Sequence, residues 1–167
     1  VLLYVCGVTV YSEAHVGHIR AALSFDIVLR HLLARGYQVK YVRNFTDVDD
    51  KINAASVETG KPIDEITARF ITAYNDDMGA LGVRPPDVEP RATHHISEMI
   101  EMIEKLIDKG FAYEADGHVL FDVSSNADYG ALSKRDLREM IAGSRVEVAP
   151  YKKAAHDFVL WKPSSPE

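Results

Sequence analysis

The residues best placed to do chemistry are two histidines three positions apart, His15 and His18, at the predicted start of a helix. Side chains at positions i and i+3 project on one side of a helix and towards its N-terminus. Two imidazole donors beside the positive end of the helix dipole suit a polyphosphate whose charge grows in a transition state. Gly17 between them carries no side chain, which would let a base or a ribose approach the backbone. The alternative is a capping turn with two solvated histidines, and spacing alone does not choose between the two.

A second polar group precedes that helix, where an apolar run gives way to the small and hydroxylated residues Cys6, Gly7 and Thr9. A strand that ends in this way and then opens a helix commonly brings backbone amides to a phosphate. Cys6 is the only cysteine of the chain. Taken alone, a cysteine beside an apolar strand is more often a small buried hydrophobe than a ligand.

A third polar run, residues 43–51, follows the next predicted strand and is dense in hydrogen-bonding side chains. We expect this run to face the first turn. Thr46, Asp47 and Asp49 either serve a site there or cap the next helix, which such residues do very often.

Hydrophobic patterning predicts the elements that must position these residues. Residues 2–8 form an apolar run typical of an interior parallel strand, residues 16–35 have helical periodicity, and residues 38–45 form a second strand. This order predicts a right-handed β-α-β unit with parallel strands, whose carboxyl ends open onto one sheet edge. Ligands in open α/β sheets bind at that edge. The predicted fold class is therefore α/β, with a Rossmann-like parallel sheet.

Two further helices are predicted beyond this unit. The first runs from Pro62 to Gly82, and prolines at 85, 86 and 90 then mark a boundary. Thr93 is expected to cap the second, strongly amphipathic helix, which Gly110 ends. The apolar stripe of the first is predicted to comprise Ile63, Ile66, Phe70 and Tyr74.

The last third of the chain has no β-α-β pattern. The Asp116-Gly117 pair between two β-prone runs predicts a hairpin, and a short helix at 136–142 and a strand at 158–161 follow. We therefore expect three parts: the first half of a Rossmann-like catalytic domain (1–84), an inserted α+β connective region (85–157), and a return strand with a truncated linker (158–167).

Composition narrows the classes of function. A net charge of −6 argues against a surface that mainly binds the phosphate backbone of a nucleic acid, because such surfaces carry an excess of Lys and Arg. One cysteine cannot form an intramolecular disulfide, which favours a reducing compartment. No apolar run approaches the roughly 18 residues of a membrane span. We expect a cytoplasmic protein, a monomer, with no membrane partner.

The run from Tyr4 to Tyr11, followed by His15-Val16-Gly17-His18, resembles the start of the bacterial-type cysteinyl-tRNA synthetases. The second of these blocks resembles the nucleotide signature of class I aminoacyl-tRNA synthetases. The similarity continues in order over essentially the whole chain, through residues 41–51, 84–85, 89–96 and 157–162.

The resemblance implies ATP-dependent activation of cysteine to cysteinyl-adenylate, followed by transfer of cysteine to tRNA(Cys). It implies Mg²⁺ with the ATP, and a zinc ion that binds the substrate thiolate, with Cys6 as one zinc ligand. His15 and His18 would be catalytic. The expected ATP-binding residues are Thr9, Tyr11, His15, Gly17 and His18, and the expected cysteine-binding residues are Cys6, Gly7, Thr9 and Thr46.

Other parts of the implied site are not found in this sequence. The remaining zinc ligands, a lysine-serine loop and most of the tRNA-binding surface would lie beyond Glu167, so the chain by itself is expected to bind nucleotide weakly and not to aminoacylate. Two alternatives stay open: a ligase that joins activated cysteine to an amino sugar in thiol biosynthesis, and a non-catalytic nucleotide-binding module.

Overall fold

The computed structural model describes residues 1–134 and 149–163. The chain divides into two compact units, Val1–Ile96 and Ser97–Glu167. The short helix predicted at 136–142 lies outside the described residues. Within the described part of the chain, no helix is both long enough and apolar enough to span a membrane.

The first unit begins with strand β1 (Leu2–Val5), helix α1 (Val16–Ala34) and strand β2 (Lys40–Arg43). The two strands are parallel and in register over their whole length. Helix α1 stops where predicted, because Gly36 takes a φ of +83°, a left-handed conformation that favours glycine. The predicted α/β fold class and the parallel pairing are confirmed.

Strand β1 is buried on one face only, whereas its apolar pattern predicted an interior strand covered on both. Val5 packs with Leu29 and Tyr41 in a buried cluster beneath α1. On the other face, Leu2 and Tyr4 are 88% and 60% exposed. The reason is that Leu3 and Val5 pack in the cluster with Leu29 of α1, whereas neither core cluster includes Leu2 or Tyr4.

Helices α2 (Asp50–Thr59) and α3 (Ile63–Ala80) follow, separated by a left-handed turn at Gly60. The apolar face of α3 packs on the larger core cluster, which also contains Phe45. This face is rotated relative to the predicted stripe, since Ile63 is exposed. The buried residues of α3 are Ile66, Thr67, Ile71, Tyr74 and Met78.

Residues 87–92 run parallel to β2 as a third, interrupted row of the sheet. The Arg43 N–H donates to the Val88 carbonyl at 3.2 Å, and the Phe45 N–H donates to the Pro90 carbonyl at 2.9 Å. Prolines cannot donate to a ladder, which explains why these pairings stay isolated. These hydrogen bonds hold residues 87–92 in the first unit. The division into parts 1–84, 85–157 and 158–167 stays a prediction.

Helix α4 (Ile96–Asp108) leads into the second unit, which contains a three-stranded antiparallel sheet. Gly110 ends the helix with a φ of +76°, as predicted. Asp116 and Gly117 both have positive φ and form the predicted hairpin turn. The strands, in sheet order, are β3 (Ala112–Ala115), β4 (His118–Phe121) and β5 (Phe158–Trp161).

Candidate functional site

The chain segments that follow β1 and β2 continue side by side at the carboxyl edge of the sheet. The Thr46 N–H donates to the Val8 carbonyl at 3.0 Å, and the Val10 N–H donates to the Thr46 carbonyl at 3.2 Å. These bonds make Thr9 and Thr46 parallel bridge partners, and both are half-buried. Two residues predicted for the amino-acid pocket therefore lie next to each other, at the edge where such folds bind ligands.

Gly7 lies against the end of β2. Its N–H donates to the side-chain oxygen of Asn44 at 2.9 Å. A Cβ at Gly7 would overlap the Asn44 carbonyl oxygen and stand 2.7 Å from the carbonyl carbon. Glycine is required here because the two backbones approach too closely for a side chain. Sequence reasoning gave Asn44 no role, although an asparagine just past a strand end is a polar group of the right type.

His15 and His18 form a reciprocal capping box at the start of α1. Nδ1 of His15 accepts from the Gly17 N–H at 3.0 Å, and Nδ1 of His18 accepts from the His15 N–H at 3.3 Å. The rings stack with centroids 3.8 Å apart. Since both Nδ1 atoms act as acceptors, the neutral rings carry their proton at Nε2, which remains a donor on each ring.

The electrostatics of the pair favour the neutral form of His18. Its pKa is lowered from the ordinary value by partial burial and, secondarily, by the nearby His15. The capping interpretation is therefore confirmed. Capping leaves Nε2–H of each ring available, so it does not compete with binding of a phosphate through those donors.

Gly17 has a different reason to be glycine from the one expected. A Cβ there would stand 2.8 Å from Cε1 and 3.0 Å from Nδ1 of His15. That side of Gly17 is filled by the imidazole that caps the helix and is not open to a base or a ribose. The small residue permits the cap.

Cys6 is exposed, so the interpretation as a small buried hydrophobe is wrong. Its thiol stands just past the end of β1, beside Gly7. Zinc sites need three or four donors, and the described residues hold no group of three or more His, Cys, Asp or Glu side chains arranged around a common point. Within that part of the chain, Cys6 is a single potential donor and not a metal site.

Tyr11 lies apart from the histidine pair, in a cavity of about 540 Å³ between the loop before α1 and helices α2 and α3. The Lys51 ammonium stands 5.3 Å from the centroid of the Tyr11 ring, a cation–π contact. His15, Gly17 and His18 do not line this cavity. The predicted ATP-binding residues thus fall into three places on the first unit: the sheet edge for Thr9, this cavity for Tyr11, and the start of α1 for the other three.

The carboxylates of the run 43–51 have structural roles. Asp49 caps α2 by accepting from the Lys51 N–H at 2.9 Å. Buried Asp47 accepts from the N–H and the hydroxyl of Thr93, at 2.9 and 2.6 Å. The prediction that Thr93 caps the following helix is wrong, because its side chain is engaged by Asp47 and it lies inside a 3₁₀ turn, Ala92–His95.

The fold of this chain is that of the class I aminoacyl-tRNA synthetases. A solved structure with the same fold is the ternary complex LeuRS-tRNA-LeuAMS of Agrobacterium radiobacter K84, with a TM-score of 0.59 and 22% sequence identity. The similarity covers 74% of this chain and 16% of that one.

The family follows from the sequence profile described as "tRNA synthetases class I (C) catalytic domain", which matches residues 1–167. The chain belongs to this family.

Curated relatives carry the name "Cysteine--tRNA ligase". The protein of Paramagnetospirillum magneticum is 61% identical over 163 residues, which are 98% of this chain and 36% of that protein. The protein of Rhodospirillum rubrum is 60% identical over 165 residues, which again cover 98% of this chain and 36% of that protein. The protein of Xanthomonas oryzae pv. oryzae is 59% identical over 165 residues, which cover 99% of this chain and 35% of that protein. The chain thus spans about a third of the length of these relatives.

Proposed function

We propose that the protein carrying this chain is a cysteine-tRNA ligase, which activates cysteine with ATP and transfers it to tRNA(Cys). The observation that carries the proposal is the arrangement at the carboxyl edge of the parallel sheet. An exposed thiol and two hydroxyl side chains gather at the strand ends, and the α1 N-terminus with its two imidazoles follows within one short loop. The family and the names of the relatives support the same activity.

In the activation step, a carboxylate oxygen of cysteine attacks the α-phosphorus of ATP. A P–O bond forms to the amino acid, and the bond to the leaving pyrophosphate breaks. The carboxylate is already a nucleophile, so the step needs positioning and charge stabilisation more than a general base. The Nε2–H donors of His15 and His18 would supply stabilisation as charge grows on the phosphate oxygens. Mg²⁺ would accompany the ATP as its counter-ion.

The amino-acid side of the site would be formed by Cys6, Gly7, Thr9 and Thr46. We infer that Cys6 is one ligand of a zinc ion that holds the substrate sulfur, because soft sulfur ligands favour zinc over a serine hydroxyl. The described residues do not complete a zinc site. The mechanism proposed for this chain therefore contains no step through the metal.

The remaining ATP contacts are assigned to Thr9 and Tyr11, while Gly17 would serve ATP binding indirectly, by making room for the His15 ring that caps α1. Thr9 connects the two halves of the site, because it lies at the strand edge and belongs to both predicted sets. A tRNA acceptor and its anticodon would be contacted largely by other parts of the protein, since the acidic net charge of this chain, −6, does not favour a broad tRNA surface.

The test is ATP–pyrophosphate exchange by the protein that carries this chain, followed by charging of tRNA(Cys). We expect exchange that depends on cysteine and not on serine, and subsequent aminoacylation. Exchange without tRNA charging, but with coupling of cysteine to an amino sugar, would favour the thiol-biosynthesis ligase. If the protein shows neither exchange nor charging, the remaining hypothesis is a non-catalytic nucleotide-binding module.

A further inference from the structure

Asn44 connects the two strand ends at which the proposed cysteine pocket lies. Its carboxamide oxygen accepts from the Gly7 N–H at 2.9 Å, and its Nδ2 lies 3.5 Å from the Thr46 hydroxyl oxygen. The side chain is half-buried. It thus contacts Gly7 beside Cys6, at the end of β1, and Thr46, two positions further along its own chain segment after β2.

The hydrogen bond from the Gly7 N–H to the Asn44 side chain takes the place of a backbone hydrogen bond, because the strand ladder provides no carbonyl for this N–H. The β1–β2 ladder ends at the pair Val5 and Arg43, so the Gly7 N–H lies beyond the last strand pair. A partly buried N–H without an acceptor is costly, which favours conformations that keep the carboxamide in place. Because no Cβ intervenes at Gly7, the two chains are close enough for this short side chain to reach.

The base of Asn44 is held rigidly. The preceding residue, Arg43, is 3% exposed and pairs with Glu89 at 2.9 Å. Its guanidinium also stands 5.0 Å from the centroid of the Tyr74 ring. The buried guanidinium, its ion pair with the half-buried Glu89 and the aromatic face of Tyr74 therefore anchor the end of β2 on the core from which the Asn44 side chain extends.

We propose that Asn44 is a positioning residue for the amino acid. Its carboxamide holds the Cys6–Gly7 segment of the facing strand end through the Gly7 N–H and lies beside the Thr46 hydroxyl on its own strand end. The inference rests on the proposed function, since it assigns Asn44 to the cysteine side of that site. We therefore expect loss of the carboxamide to weaken the binding of cysteine far more than the binding of ATP. The reason is that the histidine pair at the start of α1 makes no contact with Asn44.

The experiment compares Asn44→Ala with Asn44→Asp in the protein that carries this chain, by pyrophosphate exchange. For Asn44→Ala we expect KM for cysteine to rise about tenfold or more, the effect of one lost hydrogen bond to a poorly solvated group. KM for ATP should change by less than about twofold. Asn44→Asp should recover most of the loss, because a carboxylate oxygen still accepts from the Gly7 N–H.

The matched control is Asn53→Ala, at an exposed position of α2, which should behave as wild type. Should Asn44→Ala fail to fold, Asn44→Ser gives the same comparison, since its hydroxyl is too short to reach Gly7. An unchanged KM for cysteine, or an equal rise for cysteine and ATP, overturns the role of Asn44 while the proposed function stands. A wild-type protein without cysteine-dependent exchange overturns the proposed function, and the inference with it.

Discussion

Two polar clusters, one in each unit, differ in how completely their groups are satisfied. In the second unit Asp157 is 1% exposed and its carboxyl accepts from the Tyr113 hydroxyl and from the N–H groups of Val123 and Ala154, at 2.7, 3.1 and 3.0 Å. In the first unit the cluster at the sheet edge leaves an exposed thiol on Cys6 and donor N–H groups on two imidazoles.

The difference separates a structural cluster from a candidate site. A buried carboxyl that accepts three hydrogen bonds joins three chain segments and, being 1% exposed, is not accessible to a ligand. Groups that are positioned by hydrogen bonds, but retain donors, are available for binding. Four predictions test this contrast, from the largest expected effect to the smallest.

Asp157→Ala should destabilise the second unit most strongly. Three donors from three segments lose their acceptor in a buried environment, so the free energy of unfolding should fall by about 3 kcal/mol or more. Urea unfolding measures it. Asp128→Ala, at an exposed position, is the matched control and should change stability by less than about 0.5 kcal/mol. If the two variants were equally stable, the cluster around Asp157 would not be a structural cluster in contrast to the candidate site.

Gly7→Ala should disrupt the site edge, because the new Cβ would overlap the Asn44 carbonyl. We expect cysteine-dependent exchange to fall by about 100-fold, as for a displaced reacting group, and stability to fall by about 1–3 kcal/mol. Gly79→Ala is the control, since a Cβ there meets nothing within 4 Å and alanine favours a helix. Wild-type exchange by Gly7→Ala would show that the strand ends need not approach so closely.

Cys6→Ser should affect function without affecting stability. The exposed side chain makes no core contact, so in the metal-free protein the free energy of unfolding should change by less than about 0.5 kcal/mol. We expect zinc to be lost and the preference for cysteine over serine to fall at least about tenfold, because apolar contacts alone discriminate the two poorly. Metal analysis and exchange with each amino acid provide the readout. Unchanged zinc content would contradict the role of Cys6.

Acidification should loosen the start of α1 slightly. The pKa of His18 is lowered in the folded chain, by burial and then by His15, so the unfolded chain takes up its proton first. The contribution of His18 is complete above its ordinary pKa of 6.5 and is lost as pH falls through the lower folded value. The free energy of unfolding, measured from pH 7 to pH 5, should therefore fall slightly as the pH falls.

His18→Gln is the matched variant for that titration, because glutamine at the third helical position also completes a capping box but does not titrate. Its stability should depend less on pH over the same range. A titration of His18 above its ordinary pKa, followed by NMR, would reverse the sign and contradict the assignment.

Local sequence was enough for the elements whose signals are local. The stop at Gly36 and the hairpin turn at Asp116 and Gly117 each depend on residue types within a few positions. The parallel pairing of β1 with β2 follows from the strand–helix–strand order, which is visible along the chain. The candidate site residues could be chosen for the same reason, since strand ends and helix starts are visible as changes of residue type. Their individual roles stay proposals.

The predictions that failed depend on residues far apart in sequence. Thr93 was expected to cap its own helix, but it bonds to Asp47, 46 positions away. The continuous apolar run of β1 could not reveal that only one of its faces is covered. The pairing of residues 87–92 with β2 has no local signal either, because Pro90 interrupts the row, and the predicted division at residue 85 stays untested.

The sequence by itself determined the family, the order of the elements and the presence of a thiol and two imidazoles at a strand-to-helix joint. Tertiary structure alone decided that Asn44 reaches Gly7, that Gly17 makes room for the ring of His15, and that Asp47 is engaged by Thr93. The physical reason is that hydrogen bonds and steric contacts act over about 3 Å in space, whereas sequence patterns report only neighbours along the chain.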